Sequence, residues 1–303
     1  MYCVQVLGPD VAAAYLRVEG DEVAFIETNT THAVPKLLAA LAADGRRPEQ
    51  VRWVIVTHAH LDHAGGASAL MAACPNATLL CHPRAARNLI DPGKLIASAQ
   101  HVYGAQRFAE LYGAIEPIVA ERVRALDDGA QVALGTSTLS FFHTAGHAKH
   151  HFVVHDPKED AVFTGDAFGL TYPRLQRAKR FAFPSTSPID FDAVEAHRAV
   201  DRIVALKPRA VYPTHFGPWT EVADIAAQVH QWVDFSQAAI DDCVARGQKD
   251  CEAPLRRALE QEMVRTAAVA GLTLTREDLA LLELDLQLNA QGLAFVVGRR
   301  LTS

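Results

Sequence analysis

The sequence predicts a mixed α/β fold on three observations. Apolar runs with strand character alternate with helical stretches through the first 220 residues, several of those runs stop at histidine or aspartate, and everything after residue 220 reads as helix alone. The alternation favours a sheet whose strand ends carry the chemistry. The late change of character predicts two parts, a domain over residues 1–220 and a helical extension over residues 221–303.

Residues 4–7, 13–18 and 23–27 have the short apolar pattern of strands, and Gly20 and Asp21 supply the turn that makes the last two a hairpin. Residues 33–43 place leucines and alanines at helical spacing behind Thr31, a candidate N-cap, and Asp44-Gly45 ends that helix. Residues 51–57 form a Val- and Ile-rich run suited to a buried sheet position, which breaks into His58-Ala-His60-Leu-Asp62-His63-Ala-Gly65-Gly66 before a helix at 67–73. A strand at 78–82, a helical region from 83 to 111 and a strand meander from 123 to 164 follow. Helix 192–206 leads to strand 210–214, which again ends at a histidine, His215. Helices at 221–247, 253–270 and 275–288 complete the chain, broken by Gly247, Pro254 and Gly271.

Half of the 303 residues are hydrophobic, enough to bury a large core. The formal net charge of -6 gives no global attraction to nucleic acid or to an anionic membrane, so neither is an expected partner. The first ten residues lack the basic and apolar regions of a secretory signal, and no stretch approaches a membrane span, so a cytoplasmic protein is expected. The five cysteines form no C-x-x-C pair and are expected reduced and buried. Histidine is the residue to follow, because the 14 of them are unevenly spread.

His58 and His60, two apart on nearly extended chain, project to the same side and can bind one metal ion, while Asp62 and His63 can supply an oxygen and a nitrogen to a second. Four such side chains within six residues are poorly explained by packing, since burying them uncompensated would cost several kcal/mol. Among the other histidines, His143, His150 and His151 flank His147, and one of them, with His151 the foremost candidate, is expected to donate a proton or to orient a metal-bound ring. Tyr172, Arg174, Arg177, Lys179 and Arg180 form a basic stretch that could hold a substrate carboxylate or phosphate, with Tyr172 and Arg174 the candidates chosen.

The segment His58-Ala-His60-Leu-Asp62-His63 resembles the H-x-H-x-D-H signature of the metallo-β-lactamase superfamily. Thr144-Ala-Gly146-His147, Phe163-Thr-Gly165-Asp166 and Pro213-Thr-His215-Phe-Gly217 resemble its later landmarks, in the same order. The resemblance covers residues 10 to 220 and implies a four-layer αββα sandwich. It also implies a dinuclear site in which His58, His60 and His147 hold one ion, Asp62, His63 and His215 hold the other, and Asp166 bridges them. Ala145 in place of proline, Glu27 in place of an aspartate and His150 in place of glycine depart from the pattern without removing a ligand.

By that resemblance the protein is a hydrolase of a small ester, lactone, thioester or phosphodiester, using a metal-bridging hydroxide that Asp62 helps to orient. Zinc is the expected metal, with iron or manganese as alternatives, because His and carboxylate ligands suit all three. Two other readings are an iron-dependent oxidoreductase of the persulfide-dioxygenase kind and a non-catalytic or nucleic-acid-acting member. No G-x-S-x-G elbow, P-loop or S-x-x-K motif points to a different nucleophile. The C-terminal helices either cap the site or build a homodimer interface.

Overall fold

A computed structural model describes residues 11–186 and 189–302. The strand expected at residues 4–7, and Cys3, lie outside the described residues. β1 (Tyr15–Glu19) and β2 (Glu22–Ile26) form the expected hairpin, with Val18 opposite Val23. From β2 the order continues through β3 (Val51–Ile55), β4 (Thr78–Cys81) and β5 (Val123–Ala125), each parallel to the one before. Residues 123–125 thus belong to this first sheet and not to the meander, because Leu79, Leu80 and Cys81 pair with them after a long helical crossover.

That crossover consists of α4 (Pro83–Ile90), α5 (Gly93–Tyr103) and α6 (Ala105–Tyr112), preceded by α1 (Val34–Ala43), the single-turn α2 (Leu61–Ala64) and α3 (Ala67–Ala73). Thr31 opens a short 3-10 turn ahead of α1 and does not cap it; its hydroxyl is spent on Ala114 O, 2.7 Å away. One face of the first sheet contributes Phe25, Val54 and Leu79 to a core with Leu37 and Leu41 of α1, Leu70 of α3 and Leu89 of α4. Burial of such side chains contributes roughly 1.5–3 kcal/mol each.

The other face meets the antiparallel meander β6 (Gln131–Leu134), β7 (Ser137–His143), β8 (Phe152–Asp156) and β9 (Ala161–Gly165). Polar contacts that join the sheets include Trp53 Nε1 donating to Ala133 O at 2.7 Å and buried Arg17 pairing with fully buried Asp156 at 2.5 Å.

Residues 11–143, 150–165 and 214–217 make one compact unit; residues 144–149, 166–213 and 218–302 make the other. Residues 166–213 thus group with the C-terminal helices. The second unit holds α7 (Ala193–Ala205), β10 (Ala210–Pro213), α8 (Val222–Ala245), α9 (Glu252–Val269) and α10 (Arg276–Arg300). α10 runs twelve residues beyond the end expected for the last helix, at residue 288. Its start is fixed by Thr275, which accepts from Asp278 N while Asp278 accepts from Thr275 N, a reciprocal cap.

Among the described residues no helix is long and apolar enough to cross a membrane. Cys74, Cys81, Cys243 and Cys251 are free and buried, as expected, and burial pushes the Cys81 thiol up to about 12.

Candidate metal centre

In the first unit, β3 ends at Ile55 and the chain bends at Thr57 and His58, while His60, in extended conformation, is the residue from which α2 starts. His58 Nε2 and His60 Nδ1 converge to 2.9 Å. The turn of α2 then presents Asp62 and His63 beside His215, which follows β10, so that one ligand atom from each of the three lies within 4.8 Å of the others. Asp62 Oδ2 is 3.3 Å from His215 Nε2 and 3.5 Å from His63 Nε2.

The hydrogen bonds on the far side of each ring decide what these atoms are. His215 Nδ1 lies 2.8 Å from Val11 O, an acceptor, so in the neutral ring it carries the proton and Nε2 keeps a lone pair. His63 Nδ1 lies 3.2 Å from Glu27 Oε1, with the same result. Thr57 donates its hydroxyl proton to Glu27 and therefore accepts from His58 Nδ1 at 3.0 Å, leaving His58 Nε2 as a lone pair as well. Three lone-pair nitrogens, two of them against a carboxylate, form a buried electron-rich cluster whose electrostatics call for a cation. The donor set, imidazole nitrogen with carboxylate oxygen, fits zinc, iron or manganese.

Sequence reasoning noted Glu27 only as a departure from a pattern. In the structure its Oε1 accepts from Thr57, His63 and Thr214, the last at 3.2 Å, while its Oε2 is buried with no hydrogen-bond partner. Glu27 adopts φ 68°, an uncommon backbone for a residue other than glycine. The signal available in sequence was an acidic residue ending an apolar strand.

His151 is buried at the start of β8, with its ring 4.9 Å from that of His58. Gly165 allows this: a Cβ there would lie 2.5 Å from His151 Nε2 and 2.6 Å from the Thr57 hydroxyl. His150 packs 5.5 Å from His60 and accepts from Ala59 N. His143 turns elsewhere, its ring 4.1 Å from His82, whose pKa burial lowers to about 4. On α6, Tyr112 is held protonated by burial and by the Asp62 carboxylate, a neighbour that the sequence does not reveal.

In the second unit, His147 Nε2 and Asp166 Oδ2 lie 3.6 Å apart, both residues buried, beside a cavity of about 20 Å³ that both line. His147 Nδ1 faces Ser185 O at 3.0 Å, so its Nε2 is the lone pair turned toward the carboxylate. Gly146, at φ 118°, brings the chain so close to α7 that a Cβ would lie 2.5 Å from Ala196 N. The Ser185 carbonyl is held in turn by α10: Asn289 Oδ1 accepts from Thr186 N at 2.7 Å and Asn289 Nδ2 donates to Pro184 O at 3.1 Å. Asn289, 103 positions after Thr186 and far from every motif, gave no sequence signal.

Of the residues expected to meet substrate, Tyr172 is buried with its hydroxyl donating to Asp285, and Arg174 is half exposed with Nε on Asp278 at 2.8 Å. Arg177 joins the same buried carboxylate at 2.6 Å, and Arg180 pairs with Glu221 at 2.8 Å. This basic stretch fastens α10 and the start of α8.

The sequence model of the metallo-beta-lactamase superfamily matches residues 7–215. A metallo-beta-lactamase fold-containing protein of Sulfurisphaera tokodaii is 24% identical over 212 residues, 69% of this chain and 74% of its own length. A probable metallo-hydrolase of Burkholderia pseudomallei is 30% identical over 190 residues, 59% of this chain; the match spans 55% of that relative. Among solved structures, the Sulfolobus tokodaii superfamily protein aligns with a TM-score of 0.61 at 22% identity, covering 76% of this chain and 84% of that one. A chemotaxis sensor solved with a peroxy diiron species aligns at 0.54 and 13% identity, covering 75% and 87%. The length of the family match, together with two sheets flanked by helices and a cluster of imidazoles and carboxylates at strand ends, establishes that this chain belongs to the metallo-β-lactamase superfamily.

Proposed function

We propose that the protein is a dinuclear metallo-hydrolase acting on a small ester, lactone, thioester or phosphodiester, with His58, His60, Asp62, His63, His147, Asp166 and His215 holding the two ions, most simply zinc. The observation that carries this reading is the trio Asp62, His63 and His215, whose imidazole lone pairs face a carboxylate within 3.5 Å. When bound, two divalent ions supply a water-derived nucleophile at neutral pH and polarise the scissile oxygen.

The chain's own residues do the rest. Glu27 fixes the tautomer of His63 and raises its basicity; Val11 O and Ser185 O do the same for His215 and His147. Asp62, about a third exposed, is the carboxylate placed to orient an attacking water. His151, buried beside His58, holds that ring and is the proposed proton reservoir. Arg174, half exposed, is a better substrate candidate than the buried Tyr172, although both already bind α10. Residues 221–303 are proposed as an extension to the catalytic domain, a reading supported by the family match ending at residue 215.

The test is hydrolysis of a panel of lactones, thioesters and phosphodiesters by the purified protein, repeated after chelation and after return of zinc, manganese or iron. Hydrolysis of one class that chelation abolishes and metal restores is expected. A fully loaded protein inert toward every class would overturn the hydrolase reading, and oxygen consumption by an iron-loaded form would replace it with the oxidoreductase alternative.

A further inference from the structure

α7 and α8 pack side by side, and each carries one half of a crossed arrangement far along the chain from the motifs above. His197 on α7 and His230 on α8 bring their rings edge to edge, with centroids 4.9 Å apart and planes 15° from parallel. Four residues after each histidine comes an aspartate, Asp201 and Asp234, and each aspartate serves the histidine of the opposite helix. His197 Nε2 lies 3.0 Å from Asp234 Oδ1, and His230 Nε2 lies 3.3 Å from Asp201 Oδ1. The two Nδ1 atoms face each other at 2.6 Å.

The carboxylates settle the state of the rings. Rotating either imidazole by half a turn would put carbon where Nε2 meets its acceptor, so both rings are held as observed. With both Nε2 atoms donating to aspartate, both Nδ1 atoms of the neutral rings are lone pairs, and two lone pairs at 2.6 Å repel unless a positive species lies between them. A divalent ion between the rings would engage both lone pairs at once. Metal-ligating histidines commonly donate their second nitrogen to a carboxylate, and that is the pattern on both sides here.

We propose that His197 Nδ1 and His230 Nδ1 form a peripheral binding site for a divalent transition ion such as zinc, clamping α7 to α8. Zinc–nitrogen bonds of about 2.0–2.1 Å at a tetrahedral angle set the two nitrogens about 3.3 Å apart, so the pair opens by about 0.7 Å. Both side chains are about 30% exposed, which lets the rings make that movement and leaves the remaining coordination positions to water. The site uses none of the residues of the candidate metal centre and does not depend on the hydrolase reading.

The experiment is calorimetric titration of zinc into the full-length protein already loaded with its tightly held metal, alongside His197→Gln, His230→Gln and Asp234→Asn. The wild type takes up one further equivalent, both glutamine variants lose it, and Asp234→Asn binds it roughly tenfold more weakly. Circular dichroism confirms that the exposed substitutions leave the fold intact, and zinc raises the melting temperature of the wild type more than that of His197→Gln. Equal zinc uptake by the wild type and both glutamine variants, or no further equivalent in any of them, would leave a shared proton as the species between the rings and overturn the proposal.

Discussion

Replacing Glu27 by glutamine removes one buried charge and almost no volume, which makes it a sharp probe of how the Asp62, His63 and His215 cluster works. The amide oxygen can still accept from Thr57, His63 and Thr214, so the local geometry should survive. What disappears is the negative charge 3.2 Å from His63 Nδ1, in surroundings where His63 and Glu27 are 0% and 1% exposed and solvent screens little. Carboxylates that orient a metal-bound histidine typically contribute 10- to 100-fold in metal affinity, about 1.4 to 2.7 kcal/mol. We therefore expect Glu27→Gln to bind zinc 10- to 100-fold more weakly in competition with a chromophoric chelator near neutral pH, with an unchanged circular dichroism spectrum. An affinity within twofold of the wild type would refute the reasoning and reduce Glu27 to a packed polar residue.

Further expectations follow from the rest of the structure. Asn289→Ala strands Thr186 N–H and Pro184 C=O, costing about 1–3 kcal/mol in denaturant unfolding, and loosens the Ser185 carbonyl on His147, so metal affinity falls as well; a stability loss with unaltered affinity would show that α10 does not position His147. Asp278→Asn breaks the contacts to Arg174 and Arg177 and half of the α10 cap, for about 2–3 kcal/mol near neutral pH. The Arg177 guanidinium, followed by the cap and Arg174, holds the Asp278 carboxyl well below its usual range, so this stability is present above pH 3.8 and is lost as pH falls toward the folded value. The gap between wild type and Asp278→Asn in denaturation experiments should narrow over that window. His82 behaves oppositely in origin: burial lowers it from 6.5 to about 4, the unfolded chain binds the extra proton between those values, and stability falls as pH drops through the window by roughly 3 kcal/mol. His82→Asn, which can keep the cap on Arg84 N, should flatten that part of the pH–stability curve.

The parts of the site legible in sequence are those written in local pattern. Histidines two apart at the end of an apolar run, followed at once by Asp62 and His63, announce ligands because nothing in packing wants four such groups together. The helix at Ala67–Ala73 and the hairpin at Gly20 were equally local. What stayed hidden depends on contacts distant in the chain. Glu27 matters through Thr57, His63 and Thr214, Asn289 through a loop 103 positions earlier, and β5 through parallel pairing with β4. The tie of the basic stretch after Asp166 to α10 was hidden for the same reason: Asp278 is 101 positions from Arg177.

The central claim is that this chain's imidazoles and carboxylates exist to hold metal, and metal content measures it most directly. Elemental mass spectrometry on protein purified without added metal, dialysed to remove loosely held ions, should give about two divalent ions per chain, most simply zinc, with His58→Ala and Asp166→Ala each losing metal while remaining folded. Protein that carries no metal, and takes up none tightly after reconstitution with zinc, iron or manganese, would contradict the account.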